Sequence, residues 1–221
     1  MLSLHWLLFL LLPLFFSLNS EANDQLVFRY HECNDDLRNF IAGSPYQNNL
    51  ADVLKDIYSN REIDYGFYNF SKGENPDKVN AIGFCRGDVS SNDCRDCLRA
   101  SAVLLTDRCR TQKEAIGYYD ICTLRYSNTS IFGAMETKTS AYYFIQNKTV
   151  VDDAFNLTLR RLLDELKSTA AEGDWRKKFG EKSVKVNESN TNNETIYGLV
   201  QCTPSKIVLN VWIQLIILGG V

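Results

Sequence analysis

Three cysteines fall within the thirteen residues CRGDVSSNDCRDC, at Cys85, Cys94 and Cys97. Cysteines at such spacing can bind a metal, exchange electrons or form disulfides. A zinc site needs four well-placed ligands, but the sequence has one C-x-x-C pair, and His31 is the only histidine beyond the apolar leader. A thioredoxin-like site needs a surrounding βαβ unit, and a catalytic cysteine needs a histidine partner. The sequence favours neither, so we predict no metal, no cofactor and no enzymatic activity.

The first 22 residues have the pattern of a secretory signal peptide. Residues 7–18 are almost wholly apolar and polar residues follow at once, although no Lys or Arg precedes them. The run is shorter than the ~20 residues of a membrane span, and Pro13 interrupts it. We therefore expect residues 1–22 to be cleaved, the protein to be secreted, and the chain to have no stable membrane span.

Six N-x-S/T sequons agree with a secreted surface, because N-linked glycans are added in the secretory pathway. The glycosylation candidates are Asn69, Asn128, Asn147, Asn156, Asn187 and Asn193. The formal net charge of −3 gives no electrostatic footprint for nucleic acid.

An oxidising compartment favours the disulfide interpretation of the cysteines. Six of the seven lie between residues 33 and 122, and the seventh is Cys202. Cys94 and Cys97 would share one face of a helix that begins at Asp93 as its N-cap. Six cysteines allow 15 pairings, and spacing alone chooses none of them.

Hydrophobic periodicity predicts both helices and strands. Apolar residues at i, i+3, i+4, i+7 and i+8 indicate an amphipathic helix near residues 50–58. Strand-like runs occur at LVFRYHEC, YGFYNFS, VNAIGFC and AIGYYDICTLRYSN. Alternation in the last run predicts one shared face for Ile116, Tyr118, Cys122, Leu124 and Tyr126.

The spacing C-x8-C-x2-C, with IGFCRGD before it and CTLRYSN around Cys122, resembles the plant ginkbilobin-homologous or salt-stress-response/antifungal domain. That domain occurs in cysteine-rich repeat secretory proteins and in the extracellular part of cysteine-rich receptor-like kinases. The resemblance implies an α+β fold, with an antiparallel sheet of about five strands and two helices on one face. It also implies the pairing Cys33–Cys109, Cys85–Cys94 and Cys97–Cys122, with Cys202 unpaired. We assign the complete domain to residues 23–137.

The same criteria predict that a second copy begins later in the chain. Residues 154–170 repeat the amphipathic helix, and ETIYGLVQCTPS parallels NAIGFCRGD, with Cys202 in the place of Cys85. Val211 and Gln214 stand where the motif requires cysteines. We therefore predict an incomplete second copy over residues 138–205 and an apolar, non-family tail over residues 206–221, as in a truncated gene product.

Ginkbilobin-like proteins imply a mannose site made of an Asn after the first cysteine, an Arg seven residues after the fifth and a Glu five residues after the sixth. Asn34 fills the first position, but Ile116 and Ser127 occupy the others. Asn34 is thus the one candidate carbohydrate contact, and a turn or backbone cap is its alternative role. Nothing in the sequence places Arg125 or Glu114 at that site.

The predicted function is a secreted, non-enzymatic binding module of the plant apoplast, with a stress or defence role or a receptor-ectodomain-like interaction role. Its expected partners are an apoplastic protein or a cell-wall carbohydrate, and association with receptor-like proteins. One alternative is a mannose-binding antifungal lectin. A second is an extracellular thiol redox sensor.

Overall fold

A computed structural model describes residues 26–35, 39–133, 153–174, 176, 178–186 and 195–202, and the backbone of residues 211–218. The predicted signal peptide and the sequons at Asn147, Asn187 and Asn193 lie outside the described residues. The strands are β1 Phe28–Cys33, β2 Phe67–Lys72, β3 Val79–Cys85, β4 Glu114–Tyr119, β5 Cys122–Ser127, β6 Phe179–Lys185, β7 Thr195–Cys202 and β8 Val211–Leu218. The helices are α1 Pro45–Ser59, α2 Ser91–Arg108 and α3 Asp153–Glu172.

The first five strands form one antiparallel sheet in the order β1-β4-β5-β3-β2. Helices α1 and α2 pack against each other and against one face of this sheet. Gly83 allows the close approach, because a Cβ there would lie 2.8 Å from Ile57 Cγ2 and 3.1 Å from Leu98 Cδ2. The predicted five-stranded sheet with two helices on one face is confirmed.

Local sequence explains why α1 begins where it does. The Ser44 hydroxyl accepts a hydrogen bond from the Gln47 amide, and Pro45 occupies the first turn, where no amide donor is needed. The predicted apolar stripe consists of Leu50, Val53, Leu54, Ile57 and Tyr58. All of these residues are buried except Tyr58, which is half-buried. One further buried residue, Tyr46, lies four positions before Leu50 on the same stripe.

Helix α2 begins earlier than predicted, and its N-cap is Ser90 rather than Asp93. The Ser90 hydroxyl accepts a hydrogen bond from the Asp93 amide at 3.2 Å, and it donates one to the Asp93 carboxylate at 2.6 Å. Asp93 instead places its negative charge in the first turn, where the helix dipole favours it. Cys94 and Cys97 are both buried, as a shared helix face requires.

The single alternating face predicted for residues 116–126 is wrong. The run is a hairpin that turns at Asp120 and Ile121, and Tyr118 pairs with Thr123 across it. The turn resets the alternation, so that Cys122, Leu124 and Tyr126 face the helices whereas Ile116 and Tyr118 face away. This reversal places Ile116 and Arg125 on the same face of the sheet.

A second sheet has the order β6-β7-β8 and is also antiparallel. Helix α3 packs on β6 and β7, and Gly198 allows it close, because a Cβ there would lie 2.6 Å from Leu166 Cδ1. A separate core forms from Phe155, Leu162, Leu166, Ala170, Val186, Ile196, Val200 and Cys202. β7 lies between β6 and β8 just as β3 lies between β2 and β5.

The two sheets meet at the end of β3. The Gln201 carboxamide accepts a hydrogen bond from the Gly87 amide at 3.0 Å and donates one to the Cys85 carbonyl at 3.1 Å. The Phe179 ring covers Gly87, where a Cβ would lie 2.6 Å from the ring. A side chain from the second sheet thus satisfies backbone groups of the first.

Candidate functional site: the open face of the first sheet

Three disulfides fix the first sheet to its helices. Cys33–Cys109 ties β1 to the end of α2, Cys85–Cys94 ties β3 to the first turn of α2, and Cys97–Cys122 ties α2 to the start of β5. These pairs are the ones that the family resemblance implies. The bridges hold the helix layer against one side of the sheet, and the opposite side carries the residues considered next, of which Phe84, Asn80 and Ser127 are buried.

We call that opposite side the open face. A Cβ built at Gly83 or Gly117 would point towards the helices. Side chains alternate along a strand, so the residues that flank these glycines point away from the helices. Strand register arranges the open face in three rows across the sheet, which are Tyr30–Tyr118–Thr123–Phe84–Phe67, Glu32–Ile116–Arg125–Ile82–Asn69 and Glu114–Ser127–Asn80–Ser71.

A polar cluster of Asn34, Glu114 and Arg125 lies at one end of the open face. Arg125 Nη2 is 2.5 Å from Glu114 Oε1, and both side chains are less than one fifth exposed. Asn34 Nδ2 donates a hydrogen bond to Glu114 Oε2 at 3.3 Å, and the Asn34 amide donates one to the Glu114 carbonyl at 3.0 Å. Charge-assisted bonds of this kind are stronger than neutral ones and fix the geometry of the side chains.

The positions of this cluster relate directly to the implied mannose site. Arg125 pairs with Ile116, which occupies the expected Arg position, and Glu114 pairs with Ser127, which occupies the expected Glu position. Each charge thus lies on the strand opposite its expected position, and Glu114 bonds to both Arg125 and Asn34. Sequence spacing could not reveal this arrangement, because it depends on the register of the β4–β5 hairpin.

Aromatic side chains form the row at the other end of the open face. The Tyr30 and Tyr118 rings stack with centroids 6.4 Å apart, and the Phe67 and Phe84 rings meet edge to face at 5.9 Å. Tyr30 remains 43% exposed. The open face therefore combines aromatic rings with a hydrogen-bonded donor and acceptor pair on one side of the sheet.

The contacts of Asn34 join the end of β1 to β4. The Asn34 backbone amide extends the ladder beyond the end of β1, and the Asn34 side chain donates a hydrogen bond to the Glu114 carboxylate on β4. A carboxylate accepts about four hydrogen bonds, and the two that Glu114 accepts from Arg125 and Asn34 leave capacity for a ligand hydroxyl.

Cys202 is the one cysteine without a disulfide in the described part of the chain, and it is buried at the end of β7. Burial raises the pKa of its thiol, and the nearby Lys178 opposes that shift only in part. A raised pKa leaves less thiolate, which is the reactive form. This arrangement weakens the redox-sensor alternative, because an effective sensor thiol is exposed and acidic.

We expect Cys202 in the folded protein to react with a disulfide reagent such as DTNB at least tenfold more slowly than in 6 M urea at pH 8. The denaturant exposes the thiol and returns its pKa to the ordinary range, so the thiolate fraction rises. Stopped-flow absorbance measures both rates, and Cys202→Ser provides the blank. Equal rates after correction for the urea effect on free cysteine would show that the thiol is accessible.

Over the ranges that the structure describes, His, Cys, Asp and Glu form no group of three that could hold a metal ion. In the same ranges, no helix combines the length and hydrophobicity needed to cross a bilayer.

The five-stranded sheet, its two-helix layer and its three disulfides define a disulfide-rich α+β module of the kind that oxidising compartments favour. The family model described as salt stress response/antifungal matches residues 32–129. The chain belongs to this family.

Relatives of two kinds share this domain. The chain is 36% identical to cysteine-rich repeat secretory protein 38 of Arabidopsis thaliana, over 80% of this chain and 68% of that protein. It is 38% identical to cysteine-rich receptor-like protein kinase 26 of the same plant, over 78% of this chain but only 26% of that protein. The match to the kinase therefore spans about a quarter of its length.

Solved structures show the same fold. The tandem DUF26 ectodomain of the Arabidopsis thaliana cysteine-rich receptor-like protein PDLP8 matches with a TM-score of 0.58 and 21% identity, over 84% of this chain and 81% of that one. The tandem ectodomain of PDLP5 matches with a TM-score of 0.54. The solved structures thus show the fold, and the relatives named above are a secretory protein and a receptor-like kinase.

Proposed function

We propose that this chain is a non-enzymatic binding module of the plant apoplast with a stress or defence role, and that it binds a cell-wall saccharide on the open face. The exchange of charges between β4 and β5 carries this proposal. It keeps one Asn, one Arg and one carboxylate together although two of the three expected positions are changed.

The chemistry of the cluster suits a saccharide. Sugar hydroxyls need hydrogen-bond donors and acceptors held at fixed separations, and Arg125 with Glu114 supplies both within 2.5 Å. The disulfides and the sheet hold these groups in place before binding, which reduces the ordering cost of association. The aromatic row on the same face offers apolar surface for the carbon side of a sugar ring.

The test is a glycan array followed by mannan titration, using the full chain secreted from plant cells. Glu114→Gln and Arg125→Lys each weaken a charge-assisted hydrogen bond worth about 1.5–3 kcal/mol, so we expect a loss of affinity of tenfold or more. Arg110→Ala is the matched control, because Arg110 follows α2 and is exposed.

Thermal unfolding of each variant separates lost binding from lost folding. Unchanged affinity in Glu114→Gln would contradict the assignment of the site. If the folded wild-type protein binds no saccharide, the module would instead bind a protein partner, as the similarity to receptor-like ectodomains allows. Exposed Tyr30 and Val27 on or beside edge strand β1 would then be the first surface to test.

We also propose that residues 138–205 begin a second family copy. The packing of α3 on β6 and β7 supports this, because it repeats the packing of α1 on β2 and β3. The match of 84% of this chain to a tandem ectodomain agrees with it.

A further inference from the structure

Three sequons fall on residues that the structure describes, and their environments differ. Asn69 is exposed in the middle of β2, and Asn156 is exposed on α3. Asn128 is half-buried, and its Oδ1 atom is buried without a hydrogen-bond partner. A glycan needs an Asn side chain that remains at the surface after folding, so the fold favours Asn69 and Asn156 over Asn128.

Asn69 lies on the open face. It belongs to the row that runs through Ile82 and Arg125, and it is two strands from Arg125. Neighbouring strands are about 4.8 Å apart, so the two positions are separated by roughly 10 Å across the sheet. Any branched glycan attached to Asn69 is therefore close enough to lie over Ile82 and to approach the polar cluster.

The strand that carries Asn69 is an edge strand, because β2 ends the order β1-β4-β5-β3-β2. An edge strand exposes backbone groups that can pair with another chain, and natural proteins protect such edges. A bulky hydrophilic group on β2 would protect this edge, and it would project over the side of the sheet away from the helices.

We propose that Asn69 carries an N-linked glycan that covers the β2 and β3 side of the open face and limits access to the polar cluster. In this modification the Asn69 Nδ2 atom forms a bond to C1 of an oligosaccharide carried on a polyprenyl pyrophosphate. The C1–O bond to the pyrophosphate breaks, and Nδ2 loses a proton. The limit on ligand access rests on the proposed saccharide function, whereas the site and its shielding effect do not.

The first test maps glycan occupancy by mass spectrometry on the full chain secreted from plant cells. The expected result is occupied Asn69 and unoccupied Asn128. An unmodified Asn69 in the secreted protein would overturn the proposal.

The second test needs no ligand. Hydroxyl-radical footprinting compares the wild type with Asn69→Gln, which removes this glycan alone. We expect oxidation of Ile82 and Phe67 to rise at least threefold in Asn69→Gln, while Val103, which is exposed on α2, serves as the internal reference. Thr158→Ala removes the Asn156 sequon and is the matched control, with no expected change at Ile82 or Phe67.

Equal oxidation in the wild type and Asn69→Gln would overturn the shielding. Mannan titration then tests access, and we expect Asn69→Gln to bind at least threefold more tightly than the wild type. Unchanged affinity in a protein that does bind mannan would overturn the limit on access. Footprint protection without any saccharide binding would support the shielding and count against the proposed function alone.

Discussion

Replacing Cys33 and Cys109 together by alanine is expected to cause the largest loss of stability among the three disulfides. Chain entropy rises with the length of the loop that a bridge closes, and this bridge joins residues 76 positions apart. The loop model gives about 4.5 kcal/mol for it. The Cys85–Cys94 bridge closes a loop of only 9 positions, for which the model gives about 2.6 kcal/mol.

Urea unfolding monitored by far-UV circular dichroism measures both double variants. We expect the free energy of unfolding to fall further when Cys33 and Cys109 are replaced than when Cys85 and Cys94 are replaced. This expected order of stability losses also has a structural reason. The bridge that closes the longer loop holds edge strand β1, which pairs only with β4 within the first sheet. A larger loss for the Cys85–Cys94 variant would show that local packing, and not loop length, controls the contribution.

Tyr46→Ala is expected to destabilise the protein by about 3–5 kcal/mol, since truncating a buried aromatic ring leaves a cavity. Tyr46 is fully buried, and its ring stacks on Phe40 with centroids 5.2 Å apart. Its hydroxyl donates a hydrogen bond to the Lys113 carbonyl at 2.6 Å. Burial is the largest of the effects that raise the pKa of this phenol above its usual range.

Tyr46→Phe is the matched variant, because it keeps the ring and removes only the hydroxyl. We expect it to cost about 1–2 kcal/mol, from the hydrogen bond that the part-buried Lys113 carbonyl loses. Thermal and urea unfolding of both variants measure the difference. Equal losses in the two variants would show that the hydrogen bond, and not the packing of the ring, accounts for the contribution of Tyr46.

The sequence was sufficient to predict the fold class, because the cysteine spacing carries the family resemblance that implies this fold and the hydrophobic periodicity agrees with it. The stripe of Leu50, Val53, Leu54 and Ile57 is buried as periodicity requires. The face of Ile116 was predicted wrongly, because a short turn at Asp120 and Ile121 interrupts an alternation that looks continuous in the sequence.

The candidate site was harder to predict than the fold. Its cluster depends on which residue of β4 lies opposite which residue of β5, and that register is a property of the hairpin and not of residue spacing. Glu114 and Arg125 are eleven positions apart along the chain. Once a hairpin centred between Tyr118 and Thr123 is recognised, the pairing of Ile116 with Arg125 follows by counting outwards.

The exchange between β4 and β5 also bears on how members of this family should be compared. Counted position by position, Ile116 and Ser127 are two losses from the implied mannose site, whereas the strand register places Arg125 opposite Ile116 and Glu114 opposite Ser127. Under the proposed saccharide function, two directly paired positions act as a single unit in which either member supplies the charged group. A survey of relatives that scores each cross-strand pair together would recover binding surfaces that a column-by-column survey discards.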